Sequence, residues 1–285
     1  MPQTTTTARP ARMNRLGLIG AGGMAATVLE AIAARLPAPL ALLTILVRPG
    51  GEAKAAALAA AHAVAEQAVI RSDIAAFLAD APDVVAECAG HAAVRAHGAA
   101  VLAAGCDLVV ISVGALADDD LHRRLDAAAA ASGAQLVLPP GAVGGIDVLA
   151  AARLSGLEEV TYIGRKPPAA WRGTPAEALV DLGALAGPAV FFDGTAREAA
   201  RDYPQNANVA AAVALAAGGF DTTRVRLVAD PGITRNVHEV SVRSACADFT
   251  IRLEGRPSPA NPKTSLTAGY SVARALLQRA ATTVI

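Results

Sequence analysis

A glycine-rich loop between an apolar segment and an alanine-rich segment is the feature that most limits what this chain can fold into. Leu16 to Ile19 are mostly apolar, Gly20-x-Gly22-x-x-Ala25 follows at once, and residues 24–36 have helical composition. In a strand, turn and helix unit, the first glycine permits the tight turn and the second lets backbone N–H groups approach a pyrophosphate. The small third residue allows close packing of the helix on the strand. The loop therefore predicts a Rossmann dinucleotide site. Its predicted cofactor contacts are Gly20, Gly22, Gly23 and Met24.

The alternation of strand and helix continues as far as about residue 143. Strands are predicted at 41–47, 84–87, 108–112 and 136–138, and helices at 52–65, 91–104 and 121–131. Such alternation implies right-handed crossovers and a parallel sheet. The composition agrees, because 53% of residues are apolar and only 3% are aromatic, with alanine, valine, leucine and glycine in excess. We predict an α/β fold with an N-terminal doubly wound Rossmann sheet.

The second half of the chain has a different pattern of apolar and polar residues. Segments 160–163, 225–228, 237–243 and 249–253 alternate apolar and polar residues, as in an antiparallel sheet with one covered face. A Pro- and Ser-rich loop at 256–262 precedes a helical segment at 264–281. We predict a disordered tail over 1–13, a Rossmann domain over 14–143, an α+β substrate domain with a mainly antiparallel sheet over 144–262, and a C-terminal helix over 263–285 that returns to the Rossmann domain.

Charge and cysteine content narrow the class of partner. The 25 basic and 25 acidic side chains cancel, which disfavours binding to nucleic acid or to an anionic membrane. The three cysteines show no metal-like spacing and no disulfide framework, so a reducing, cytoplasmic setting without a bound metal is expected. No secretion signal or membrane span is visible. A small-molecule substrate is the expected partner, and a homo-oligomer is expected from the exposed sheet of the second domain.

Arg48 bears on the choice of cofactor. The end of the second strand in a dinucleotide site normally carries an acidic residue that binds the ribose 2′-hydroxyl of NAD, but here the order is Val47-Arg48-Pro49. An arginine at this place can pair with the 2′-phosphate of NADP. The alternative is an arginine that only faces solvent. NAD and NADP both remain candidates.

Four further motifs resemble the L-aspartate dehydrogenase family, in the order in which that family has them. They are LPPGAVGGIDVL at 138–149, YPQNANVA at 203–210, ADP at 229–231 followed by NVH at 236–238, and PSPANPKTS at 257–265. The resemblance implies oxidation of L-aspartate by NAD(P) to iminoaspartate, which is hydrolysed to oxaloacetate and ammonia, and a reverse amination. It also implies that the catalytic histidine is His238 and that Ala142 and Asn208 contact the cofactor.

The residues themselves allow the same role for His238. His62, His91, His97 and His122 lie in or at the ends of predicted Rossmann helices, where solvated side chains are expected. His238 lies in the second domain, and a side chain with an ordinary pKa near 6.5 suits activation of the water that hydrolyses an imine. A purely structural histidine on a strand is the alternative.

Polar residues near predicted helix starts are candidate ligands of the cofactor or substrate. Asn206 and Asn208 precede an alanine-rich helix, so each can cap it or face a ligand. The substrate carboxylates need cationic partners, for which Lys263 with Thr264 is favoured over Lys166. An N-cap beside a solvated lysine is the alternative at both places, and we expect it at Lys166.

Two other functions fit parts of the sequence. One is a related two-domain dehydrogenase that acts on another small amino acid, homoserine, an aldehyde or a dihydropicolinate. An aldehyde dehydrogenase needs a cysteine nucleophile, yet only Cys246 lies in the second domain and no Cys–His motif accompanies it. The other is a non-catalytic NAD(P)H sensor, which would normally carry an output module that we do not find.

Overall fold

The structure is a computed structural model that describes residues 13–258 and 261–284, without the side chains of Gln205 and of residues 261–264. The predicted disordered tail therefore lies outside the described residues, except for Met13. That side chain is buried in the core. No helix in the described part of the chain is long and apolar enough to cross a membrane.

Six parallel strands form the first sheet, called sheet A. They are β1 (Arg15–Ile19), β2 (Leu40–Leu46), β3 (Ala65–Arg71), β4 (Val84–Glu87), β5 (Asp107–Val110) and β6 (Leu136–Val137). Their spatial order is β3-β2-β1-β4-β5-β6, and every pair is parallel. The order reverses between β1 and β4, which confirms the predicted doubly wound Rossmann sheet.

Five helices accompany sheet A. They are α1 (Gly23–Ala33), α2 (Glu52–His62), α3 (Ile74–Ala79), α4 (His91–Ala103) and α5 (Asp119–Ser132), with a 3₁₀ helix at Val113–Ala117. The predicted helix over 52–65 is too long, because Ala63 adopts a left-handed φ of 45° and ends α2. Strand β3 and helix α3 were not predicted. The sequence of β3, AEQAVIR, has the polar residues of an exposed edge strand and lacks an apolar run.

Five strands form the second sheet, called sheet B. They are β7 (Leu157–Lys166), β8 (Ala189–Thr195), β9 (Arg224–Ala229), β10 (Val237–Ser244) and β11 (Phe249–Glu254). Their order is β11-β10-β7-β9-β8, and only the β7–β9 pair is parallel. Helices α6 (Ile146–Arg153), α7 (Ala196–Asp202) and α8 (Asn208–Ala217) accompany it, with 3₁₀ helices at Pro168–Trp171, Pro175–Ala178 and Pro204–Asn206. The predicted α+β part with a mainly antiparallel sheet is confirmed.

Two element boundaries differ from prediction in ways that matter for the site. Strand β7 runs on to Lys166, beyond the predicted segment 160–163, so this lysine is part of the strand. The segment predicted as a loop contains the strand pair β12 (Pro257–Ser258) and β13 (Asn261–Ser265). Helix α9 (Leu266–Ala280) therefore begins at Leu266 instead of Thr264, and it packs against α1.

The packing of α9 joins the end of the chain to the first sheet. Ala268, Val272 and Leu276 of α9 belong to the same buried cluster as Val28 and Ile32 of α1. Burial of aliphatic side chains of this kind stabilises a fold by about 1.5 to 3 kcal/mol for each of the larger ones. The last helix therefore helps to fix the start of α1, where the glycine loop ends.

Candidate functional site

A cavity of about 420 Å³ lies where sheet A faces sheet B, and we call it the central cavity. The segments that follow β1, β4, β5 and β6 line one side, so the cavity is at the carboxyl edge of sheet A. In open α/β sheets ligands bind at this edge, where the strand order reverses. The described polar residues that line it from the second half of the chain are Lys166, Asn206, Asn208, Asn236, His238 and Ser265.

The glycine loop fits a bound pyrophosphate. Gly20 has a φ of +99°, and a Cβ there would lie 2.9 Å from the Cβ of Ala89, so a side chain is excluded on both grounds. Gly22 faces open space, with no heavy atom within 4 Å of where its Cβ would be. It is also the N-cap of α1, whose first N–H groups no side chain caps. Uncapped N–H groups at a helix start attract an anionic ligand.

A second cavity of about 950 Å³ adjoins the first and shares Gly22, Cys88 and Ala89 with it. It is called the outer cavity, and its lining includes Arg48, Lys54 and Ser72. No acidic residue is among the described lining residues. Because both cavities meet at the glycine loop, a dinucleotide has room for one half in each. Arg48 is exposed at the end of β2, where sequence analysis placed it.

His97 also lines the outer cavity and was predicted to be solvated. The side chain is partly exposed, but its Nδ1 is buried and has no hydrogen-bond partner in the described structure. Burial lowers the pKa of this imidazole. Helix α4 turns this residue inward, which composition alone does not show.

Asn208 is the first residue of α8, and it links this helix to the segments that follow β4 and β5 of sheet A. Its Oδ1 accepts from the backbone N–H of Gly114 at 3.1 Å and lies 2.9 Å from Nε2 of His91. A backbone N–H can only donate, so the atom that faces it must be the amide oxygen, and His91 then donates as well. No hydrogen bond of the NH₂ group is found among the described residues, and Asn208 lines the central cavity.

This arrangement excludes one alternative that the sequence left open and corrects one prediction. Asn208 does not cap α8, because Ala207 occupies the N-cap position and no side chain bonds to the helix start. His91 is not a solvated side chain, because it donates to Asn208. Sequence analysis could not have found the pair, since the two residues are 117 positions apart.

Glu87 is a buried carboxylate at the end of β4 that sequence analysis did not single out. Its Oε1 accepts from the backbone N–H groups of Ala89 and Gly90, and its two oxygens also accept from the hydroxyl and N–H of Ser112. Burial raises its pKa, while these hydrogen bonds act in the opposite direction. The carboxylate thus fixes the loops after β4 and β5 that line the central cavity.

His238 is held by a residue on the neighbouring strand. Tyr162, Gly164 and Lys166 alternate onto one face of β7, and Gly164 pairs with His238 of β10. A Cβ on Gly164 would come within 2.8 Å of the Tyr162 hydroxyl. The missing side chain therefore leaves room for that hydroxyl to lie 2.8 Å from Nδ1 of His238.

The electrostatic surroundings keep His238 neutral. It is 4% exposed, and burial followed by the positive charge of Lys166 lowers its pKa to about 3. The pKa of Tyr162 is raised by burial, so its hydroxyl keeps its proton. Of the two ring nitrogens, Nδ1 is engaged by Tyr162, and no hydrogen bond to Nε2 occurs in the described part of the chain. Nε2 is thus the nitrogen available to a ligand.

Lys166 is at the centre of the site, contrary to the expectation of a solvated lysine. Its Nζ donates to Oδ1 of Asn206 and lies 4.9 Å from the centre of the Trp171 ring. Burial lowers its pKa to about 8. The signal that could have found it is the period of two along β7, which puts Lys166 on the same face as Tyr162.

The other predicted residues are distributed as follows. Gly22, Gly23, Met24, Ala142, Asn206 and Asn208 line the central cavity with His238, and Gly20, Gly22 and Arg48 line the outer one. The side chains of Lys263 and Thr264 lie outside the described residues. Their neighbour Ser265 lines the central cavity with a buried hydroxyl that has no described partner.

The described lining of the two cavities includes one cysteine, Cys88. Cys88 lines both cavities, but burial raises the pKa of its thiol well above the ordinary value. Residues 13–258 and 261–284 contain no group of three His, Cys, Asp or Glu side chains placed to hold a metal ion.

Both halves of the chain match known protein families. Residues 147–279 match the family described as aspartate dehydrogenase, C-terminal, and residues 20–139 match the family described as homoserine dehydrogenase, NAD binding domain. The L-aspartate dehydrogenase of Ruegeria pomeroyi is 47% identical over 268 residues, which cover 94% of this chain and 93% of that protein. That of Ralstonia nicotianae is 45% identical over 94% of this chain and 98% of its own length.

A solved structure has the same fold. The crystal structure of aspartate dehydrogenase from Thermotoga maritima superposes with a TM-score of 0.71 and 24% sequence identity. The superposition covers 96% of this chain and all of that one. The arrangement of a Rossmann sheet followed by a second mixed sheet is therefore common to both proteins.

Proposed function

Because this chain belongs to the L-aspartate dehydrogenase family, we propose that it oxidises L-aspartate with NAD or NADP. The products are iminoaspartate and reduced cofactor, and water then converts the imine to oxaloacetate and ammonia. One observation carries the proposal: the central cavity brings the uncapped start of α1 to the same space as His238 and Lys166.

The residues present suit a nicotinamide dinucleotide. Gly20, Gly22, Gly23 and Met24 would hold the pyrophosphate, with Arg48 beside the adenosine ribose. Ala142 and the NH₂ group of Asn208 would contact the nicotinamide half in the central cavity. When bound there, the nicotinamide supplies the hydride acceptor for the substrate α-carbon.

His238 activates the water that attacks the imine. This role requires that Nδ1–H donates to the hydroxyl oxygen of Tyr162, because Nε2 then keeps its lone pair toward the cavity. The imidazole is neutral, as a proton acceptor must be. The two carboxylates of a bound substrate raise its pKa toward the useful range, since nearby negative charge favours the protonated ring.

Polar groups at the rim of the site hold the substrate carboxylates. Asn206, Lys263 and Thr264 are the residues proposed for this role, and Ser265 adds a hydroxyl at the start of α9. A helix start beside a hydroxyl is favourable for a carboxylate. Substrate orientation then follows from contacts at both ends of a four-carbon diacid.

The test is the initial rate of NAD(P)H formation with L-aspartate, with each cofactor, in the wild type and in His238→Ala. We expect an aspartate-dependent rate that falls by about 10² to 10⁴ in the variant, the usual contribution of a general base. The variant should still bind NADH, as measured by fluorescence. His122→Ala, at a partly exposed histidine on α5, is the matched control. No aspartate-dependent rate with either cofactor, despite NADH binding, would refute the proposal.

We also propose that the protein is cytoplasmic and forms a homo-oligomer. All three cysteines are free thiols, as is usual in a reducing compartment. Alternate residues of β11 are exposed, so one face of an edge strand of sheet B is available to a second copy. Sedimentation velocity of the purified chain tests the assembly, and a monomer at micromolar concentration would contradict it.

A further inference from the structure

Lys166 is held in one place by contacts on two sides. It ends β7, and its Nζ donates to Asn206 while lying over the ring of the fully buried Trp171. The indole of Trp171 is itself fixed, because its Nε1 donates to the backbone oxygen of Val228 at 3.1 Å. The amine is thus aimed into the central cavity from a rigid support.

No carboxylate in the described part of the chain forms an ion pair with Lys166. The neighbouring Arg165 forms an ion pair with Asp230, in which Nη1 lies 3.0 Å from Oδ2, so this carboxylate is already paired. The groups that face the lysine are neutral: His238 on β10, the amide of Asn206 and the indole of Trp171. Tyr203 packs edge-on against that indole. A buried amine without a counter-ion loses its proton easily, and burial lowers its pKa to about 8.

We propose that the neutral amine of Lys166 accepts a proton from the α-ammonium group of the substrate before the hydride leaves the α-carbon. The inference rests on the proposed function. The N–H bond of the substrate breaks, its electron pair stays on the substrate nitrogen, and Lys166 becomes an ammonium ion. That electron pair is then free to form the C=N bond when hydride leaves the α-carbon, for which a bound nicotinamide would be the acceptor.

His238 is the less suitable proton acceptor for this step. Without substrate its pKa is about 3 and that of Lys166 is about 8, and nearby substrate carboxylates raise both, so His238 stays the weaker base of the two. Lys166 is itself an aliphatic amine, and a general base is most effective when its pKa is near the working pH. The two residues thus have separate roles: Lys166 accepts a proton from the substrate amine, and His238 activates the water.

The experiment compares Lys166→Arg with Lys166→Met. Arginine keeps a cation that can bind a carboxylate, but it cannot act as a base near neutral pH. We expect Lys166→Arg to lower kcat at least about 100-fold. KM for aspartate and the inhibition constant of succinate, a diacid without the amine, should change by less than about threefold. Arg243→Met, which removes an exposed cation on the neighbouring strand β10, is the control.

Two further readouts separate a base from a structural lysine. In the wild type, kcat/KM should rise with pH as Lys166 loses its proton near pH 8, and this limb should be absent in Lys166→Arg. Added ethylamine should restore turnover in Lys166→Ala in proportion to its concentration. Thermal melts and NADH fluorescence show that each variant folds and binds cofactor.

The results distinguish the two proposals. If wild-type enzyme gives no aspartate-dependent rate, the proposed function fails. If the wild type is active and Lys166→Arg retains kcat, while Lys166→Met loses affinity for both aspartate and succinate, Lys166 is a carboxylate anchor and this inference is overturned. If the arginine variant does not fold, the ethylamine dependence of Lys166→Ala decides, and a rate unaffected by the amine counts against a base.

Discussion

The hydroxyl of Tyr162 lies 2.8 Å from Nδ1 of His238, and the two rings are stacked with an interplanar angle of 14°. The contact joins neighbouring strands of sheet B and is buried. It selects the ring nitrogen that faces the substrate, because only Nε2 remains for the cavity. Tyr162 is therefore a positioning residue for the proposed base.

Replacement of Tyr162 by phenylalanine tests this relationship. We expect kcat to fall by about fivefold, because a neutral hydrogen bond of about 1 kcal/mol that holds the Nδ1–H tautomer is lost. The pH profile of kcat should shift as well, which a loss of packing alone would not cause. Nitrogen-15 NMR of labelled histidine in the wild type should show the proton of His238 on Nδ1. A proton on Nε2 would contradict the role of His238 as base.

Asn208→Asp distinguishes the role of the Asn208 amide oxygen from that of its NH₂ group. The carboxylate still accepts from Gly114 N–H and His91, but the NH₂ donor proposed to face the nicotinamide half is gone. We expect the dissociation constant of NADH to rise about fivefold to tenfold, with a melting temperature near that of the wild type. Fluorescence titration measures the first and differential scanning fluorimetry the second. Wild-type NADH affinity in this variant would remove Asn208 from the cofactor site.

Arg48→Ala tests the choice between cofactors. The guanidinium lines the outer cavity at the end of β2, where the 2′ position of the adenosine ribose is expected. Loss of a charge-assisted pair should raise KM for NADP about tenfold and leave KM for NAD within about twofold. Arg35→Ala, at an exposed arginine just after α1, is the control. An equal change in KM for both cofactors would show that Arg48 does not bind the 2′-phosphate.

The sequence allowed the fold to be predicted where its patterns were strong. The glycine loop and the recurring apolar strands predicted sheet A, but β3 escaped because an exposed edge strand needs no apolar run. In the site, His238 and Asn208 were predicted from family motifs. Their partners were not, because Tyr162 is 76 positions from His238 and His91 is 117 positions from Asn208 in the chain. Lys166 was undervalued because β7 was predicted too short, so its place on the inner face of the strand was not seen.

Ser265→Ala gives effects of opposite sign on stability and on substrate affinity. The Ser265 hydroxyl is buried at the wall of the central cavity and has no hydrogen-bond partner among the residues described, and it does not cap α9. An unsatisfied buried hydroxyl costs about 1 to 3 kcal/mol, so its removal should leave the melting temperature unchanged or raise it. A substrate carboxylate would satisfy the hydroxyl, and KM for aspartate should therefore rise about fivefold in the variant. Thermal melts without ligand and steady-state kinetics measure the two effects. A lower melting temperature with an unchanged KM would mean that the hydroxyl serves the fold and does not contact the substrate.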